Sequence, residues 1–69
     1  MSQRQQIERL LEIDQQIRAG QYPTAERIAA KLEVSKRVIY EDKRFMVERL
    51  GAPIEFSRER GGWYYTDKT

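Results

Sequence analysis

Only three residues, Glu33-Val34-Ser35, separate two segments that both read as helices, and this short joint restricts the chain more than any other feature. Ahead of the joint, Thr24 can cap a helix over residues 25–32 whose inner side is Ile28, Ala29 and Leu32. Ala25, Ala29 and Ala30 let a neighbouring element approach closely. The capping box is incomplete, because Arg27 and not Glu or Gln stands three after Thr24. Behind the joint, Ser35 is the natural N-cap of a helix over residues 36–50, in which Ile39, Met46 and Leu50 fall seven and four apart on one seam. Neither helix can bury its apolar face alone, so two helices with this little chain between them must pack across one another. Val34 is the apolar pin of the joint. Glu33 stands where glycine best ends a helix, a backbone cost of a few tenths to about one kcal/mol.

The flanks supply the rest of a core. Residues 3–19 place Ile7, Leu10, Leu11 and Ile17, with Ile13 beside them, on a broad apolar face of a scaffold helix that Gly20 stops. Gln21-Tyr22-Pro23 is a link in which Pro23 keeps Tyr22 out of the right-handed helical region. A three-helix core of Ile7, Leu11, Ile28, Leu32, Ile39, Met46 and Leu50 is expected. Gly51-Ala52-Pro53 ends the third helix. Ile54-Glu55-Phe56-Ser57 then alternates with period two, Arg58-Glu59-Arg60-Gly61-Gly62 is a turn, and Trp63-Tyr64-Tyr65-Thr66 favours a strand. A hairpin of residues 54–57 and 63–66 follows, with Ile54 and Phe56 opposite Trp63 and Tyr65 and a tip that carries Arg58 and Arg60 out into solvent. The expected fold is α+β and mostly α: one domain over residues 1–69, with a three-helix helix-turn-helix core and a two-stranded β-hairpin wing, a winged helix.

Composition removes several classes of function. The 69 residues include no cysteine and no histidine, so disulfides, thiolate metal sites and the usual zinc sites are excluded. No cofactor and no catalytic residue is expected. The neighbouring carboxylates Glu41 and Asp42 point about 100° apart on a helix and cannot converge on one substrate. Asp42 is expected to pair with a nearby cation or to cap a backbone group. The start is polar and lacks the apolar run of a signal peptide, and no stretch reaches the length of a transmembrane helix, which points to a cytoplasmic setting without a membrane partner.

Net charge is only +2, but its distribution is uneven. Residues 1–20, 21–34 and 50–69 each balance, whereas residues 35–49 hold Lys36, Arg37, Lys43, Arg44 and Arg49 against Glu41, Asp42 and Glu48. On the outward face of that helix Arg37, Glu41, Arg44 and Glu48 stand in line, with Lys36, Val38 and Tyr40 beside them near its N-terminus. Two readings fit. Cations, a hydroxyl-bearing ring and a small apolar group on the first two turns suit a DNA major groove. The same charges at spacings of three and four also suit a solvated ladder of ion pairs. The wing arginines are open in the same way, as phosphate contacts or as an ordinary surface turn.

Four ordered motifs carry a resemblance: Pro23-Thr24-Ala25-Glu26, Val34–Asp42, Leu50–Phe56 and Gly61–Thr66. Together they look like the N-terminal winged helix-turn-helix of bacterial WYL-domain transcriptional regulators, with a broader likeness to the deoxyribose-repressor type. The resemblance spans nearly the whole chain. It implies a domain that binds double-stranded DNA, usually as a homodimer, and that is followed by a larger C-terminal ligand-sensing part. Those residues are missing from this sequence, which implies a truncated chain or a reader-only protein. Residue by residue it implies a DNA-facing set of Thr24, Ser35, Lys36, Arg37, Tyr40, Arg44, Arg58 and Arg60. Val38 and Glu41 stand on the same surface where the family usually has Thr and Arg, so an apolar contact and an acid replace a hydroxyl and a cation. Lys43 replaces a usual isoleucine and is expected to snorkel, and Glu33 replaces the usual glycine. The function expected is sequence-specific binding of double-stranded DNA in transcription regulation, with residues 36–50 in the major groove and the wing 58–62 on the backbone or minor groove. The alternative is a winged helix used for protein contact without DNA reading.

Overall fold

The computed structural model describes residues 3–66, which form α1 (Gln3–Arg18), α2 (Ala25–Leu32), α3 (Lys36–Leu50), β1 (Ile54–Ser57) and β2 (Gly62–Tyr65). This is three helices followed by an antiparallel hairpin, the winged-helix arrangement.

The helix ends follow from capping chemistry. The N–H of Arg27 donates to Thr24 Oγ1 at 3.2 Å, and that of Val38 donates to Ser35 Oγ at 3.4 Å. At the far end of α3, Gly51 takes φ of 69° and donates to the Met46 carbonyl. The joint ends α2 with Glu33 in the left-handed region, φ 60° and ψ 45°, where its N–H donates to the Ala29 carbonyl. A glycine fits that conformation without the steric penalty of a Cβ. Glu33→Gly is therefore expected to stabilise the protein by about 0.5 kcal/mol, with about 1 kcal/mol as the ceiling, because the more flexible unfolded chain offsets part of the gain. Urea denaturation midpoints of the two proteins check this.

The buried core is Ile13, Ile17, Ala25, Ile28, Ala29, Ile39, Met46, Ile54 and Trp63, with Leu10, Leu32, Val34, Ala52 and Tyr65 packed against it. Three of the expected core residues, Ile7, Leu11 and Leu50, are exposed instead. The apolar face of α1 is wider than one contact stripe, and the elements packed on it (α2, α3 and β2) cover the side bearing Ile13 and Ile17. Leu50, in the last turn of α3, instead lines an open groove together with Leu10 and Leu11 of α1.

The hairpin pairs Ile54 with Tyr65 and Phe56 with Trp63, as expected, but its second strand covers residues 62–65 where 63–66 was anticipated. Ser57 pairs with Gly62, which brings that glycine into the ladder. Phe56 is paired with the buried Trp63 yet is itself 56 % exposed. The link before α2 is also part of this structure: the Trp63 N–H donates to the Pro23 carbonyl at 2.8 Å. A Cβ on Gly62 would run into the Tyr22 carbonyl and stand 2.9 Å from that of Pro23, so only glycine allows this close approach.

Polar contacts fasten α1 to α2 and to β2. Glu12 accepts from Lys31 Nζ at 2.8 Å and from Gln16 Nε2 at 2.7 Å, and these bonds hold its carboxyl below the ordinary range. Tyr65 donates its hydroxyl to Asp14 at 2.6 Å, joining β2 to α1. Burial, then the bond to Asp14, pushes the Tyr65 phenol above its ordinary 10.0. A raised folded-state value means that this contribution is complete below the unfolded value and fades as pH climbs through the folded one. Stability is therefore expected to fall above about pH 10, and Tyr65→Phe should show a shallower alkaline fall despite a lower starting stability. Denaturation midpoints measured across alkaline pH test it.

Candidate nucleic-acid interface

The outward face of α3 is a shallow open depression lined by Lys36, Arg37, Tyr40, Glu41 and Arg44. Helical periodicity puts these side chains opposite the Ile39–Met46 seam, so burying the seam aims the depression at solvent. Arg37 Nε lies 3.5 Å from Glu41 Oε2, and Arg44 Nε lies 3.3 Å from Glu48 Oε2. Lys36 Nζ reaches Glu26 Oε2 at 3.6 Å, linking the start of α3 to α2. All these partners are exposed, and such pairs contribute only about 0.2–1 kcal/mol each. They exchange readily for a stronger anion. Val38 is half-buried and does not line the depression.

Tyr40 is half exposed, and its ring meets Trp63 edge-on with centroids 6.2 Å apart. That contact ties the groove-side ring to the core. Lys43 is half-buried, with Nζ 5.7 Å from the Trp63 ring centroid and its charge over that aromatic face. The hydroxyls of Thr24 and Ser35 each accept a capping bond, which leaves each with one O–H to donate outward.

Beneath the face lies a feature that local reasoning missed. Asp42, expected to pair with a nearby cation or cap a backbone group, is buried and accepts from Arg9 Nε at 2.5 Å and Arg9 Nη2 at 3.2 Å, across 33 residues of sequence. The fork raises the Arg9 guanidinium above its already high ordinary value. It fixes the rotation of α3 on α1, and so which residues face outward. A signal was present: Asp42 falls on the Ile39–Met46 seam, where a charge needs a long-range partner.

The wing is a four-residue loop in which Gly61, at φ 75°, donates to the Ser57 carbonyl at 2.7 Å and the Arg60 N–H donates to Ser57 Oγ at 3.0 Å. Arg58 and Arg60 are both exposed. Arg60 does not simply extend into solvent, as the sequence suggested: its guanidinium carbon stands 5.1 Å from the Tyr22 ring centroid, and Tyr22 in turn lies 6.3 Å from Tyr64.

One open depression thus gathers the cations Lys36, Arg37 and Arg44, the Tyr40 ring and the carboxylate Glu41. Among the described residues no group of three or more His, Cys, Asp or Glu could hold a metal ion, and no helix is long and apolar enough to cross a membrane. Residues 9–64 match a protein family described as an HTH domain. No curated protein and no solved structure matches the chain.

Proposed function

The chain belongs to the family of HTH (helix-turn-helix) domains, whose matched residues cover both helices of the motif and most of the wing, and on that premise we propose that it reads double-stranded DNA by sequence. In this reading α3 enters the major groove, where Arg37 or Lys36 pairs with a guanine edge. Thr24, Ser35, Arg44, Arg58 and Arg60 hold phosphates and set the register, and Tyr40 supplies a ring contact at the groove wall. The domain serves a bacterial transcriptional regulator of the WYL type, acting in the cytoplasm and binding as a homodimer. The carrying observation is the exposed cationic face of α3, with the wing at the other end of the hairpin that packs on the same core. Family membership agrees with a DNA partner and with a non-enzymatic role.

Glu41 fits this surface worst, and its partner assigns it a task. Paired with Arg37 at 3.5 Å, it orients that arginine and lowers the local positive field. Glu41→Gln is expected to raise affinity for random duplex while leaving the preferred sequence unchanged. Loss of one strongly preferred cytosine in the Glu41→Gln profile would instead make Glu41 a base reader.

Binding of a random-sequence duplex across about 50 to 200 mM salt tests the reading. Neutralising about four phosphates predicts a slope of log K against log salt near −3 to −4. Absent or salt-indifferent binding would favour the protein-contact alternative.

A further inference from the structure

Tyr22 is one of two described non-glycine residues with positive φ, at 51°, and Glu33, the other, ends a helix. No helix end explains Tyr22. Strained backbone of this kind persists only where the surroundings over-determine it, and here they do: Pro23 follows it, and Gly62 and the Trp63 N–H press against the carbonyls of Tyr22 and Pro23. The outcome is a ring beside Tyr64, with the Arg60 guanidinium over its face. Lys36, Arg37 and Arg44 each face a carboxylate; Arg60 alone of the wing and α3 arginines is held by a ring. A ring steadies a guanidinium without neutralising it and leaves its in-plane N–H donors free.

We propose that Tyr22 is a positioning residue that holds Arg60 of the wing ready for a DNA-backbone phosphate. This rests on the DNA reading above. A flexible arginine on a hairpin tip loses rotamer freedom when it binds, and the ring removes part of that loss beforehand. Because Tyr22 immediately precedes Pro23 and the Thr24 cap, the same link fixes the distance between the wing contact and the N-terminus of α2.

Affinity and salt slope on random duplex are measured for the parent protein, Tyr22→Phe, Tyr22→Leu, Arg60→Ala, Arg60→Lys and the Tyr22→Leu/Arg60→Ala pair. Tyr22→Phe, which keeps the ring, should bind as the parent does. Tyr22→Leu should weaken binding about two- to five-fold, the size of an exposed ring–cation contact, and should add nothing once Arg60 is alanine. Arg60→Ala should lower the salt slope by about one. Arg60→Lys keeps the charge but not the planar fork and should also bind more weakly, a test that stands even if Tyr22→Leu does not fold. Parent-like binding by Tyr22→Leu or Arg60→Lys would overturn the proposal, as would equal losses from Tyr22→Leu with and without Arg60. If the parent itself shows no salt-dependent binding, the DNA reading has failed and this role falls with it, whereas additive losses in a protein that binds DNA refute the Tyr22 role alone.

Discussion

Trp63→Ala is expected to destabilise the protein by about 3–5 kcal/mol, which in a domain of this size is comparable to everything a single core supplies. Trp63 is 5 % exposed and lies where three structures meet. Its backbone N–H is bonded to Pro23, its ring touches Tyr40 edge-on, and Lys43 sits over its face. Removing the ring leaves a cavity between hairpin and helices into which the packed surroundings relax only partly. Trp63→Phe keeps most of the apolar contact and should cost clearly less. Thermal melts followed by circular dichroism distinguish the cases. A melting temperature for Trp63→Ala within a few degrees of the parent would contradict the burial on which the wing's attachment depends.

Breaking the Arg9–Asp42 fork should be of similar size, and unequal between its two ends. The Asp42 side chain is 4 % exposed and that of Arg9 22 %. Arg9→Leu abandons a carboxylate in the core and is expected to cost about 3–5 kcal/mol, since removing one partner of a buried pair leaves an uncompensated charge. Asp42→Asn keeps the shape and one acceptor, and the Arg9 head can turn toward solvent, so about 1–3 kcal/mol is expected. Urea denaturation at neutral pH measures both. Equal losses, or losses under about 1 kcal/mol for Arg9→Leu, would mean that the pair does not hold α3 against α1.

The division between what local sequence reveals and what it hides follows the range of the interactions. Thr24, Ser35, Gly20 and Gly51 act within a turn of themselves, so the limits of α1 could be read to within a residue and those of α2 and α3 directly. Cross-strand pairing of Phe56 with Trp63 follows from the period of two and the glycine turn. The outward face of α3 was visible too, because the Ile39–Met46 seam defines its opposite. Hidden were the choices made by elements distant in sequence. Ile7 and Leu11 are as apolar as Ile13 and Ile17, and only the placement of α2, α3 and β2 on α1 decides between them. Asp42 has Lys43 and Arg44 beside it in sequence, yet those project elsewhere and its partner is Arg9. The Arg60–Tyr22 contact required knowing that the wing's second strand runs along the link before α2.

The most direct test of a sequence-reading α3 is selection of bound sites from random duplex DNA, carried out in parallel with the parent protein, Arg37→Ala and Lys36→Ala. The parent should enrich a defined motif, and a homodimer should repeat it with two-fold symmetry at a spacing of about one helical turn. One of the two variants should lose preference at a single position, by about 1–3 kcal/mol, while the rest of the motif is retained. No enrichment by the parent, or the parent's full profile from both variants, would contradict the assignment of α3 as the element that reads DNA.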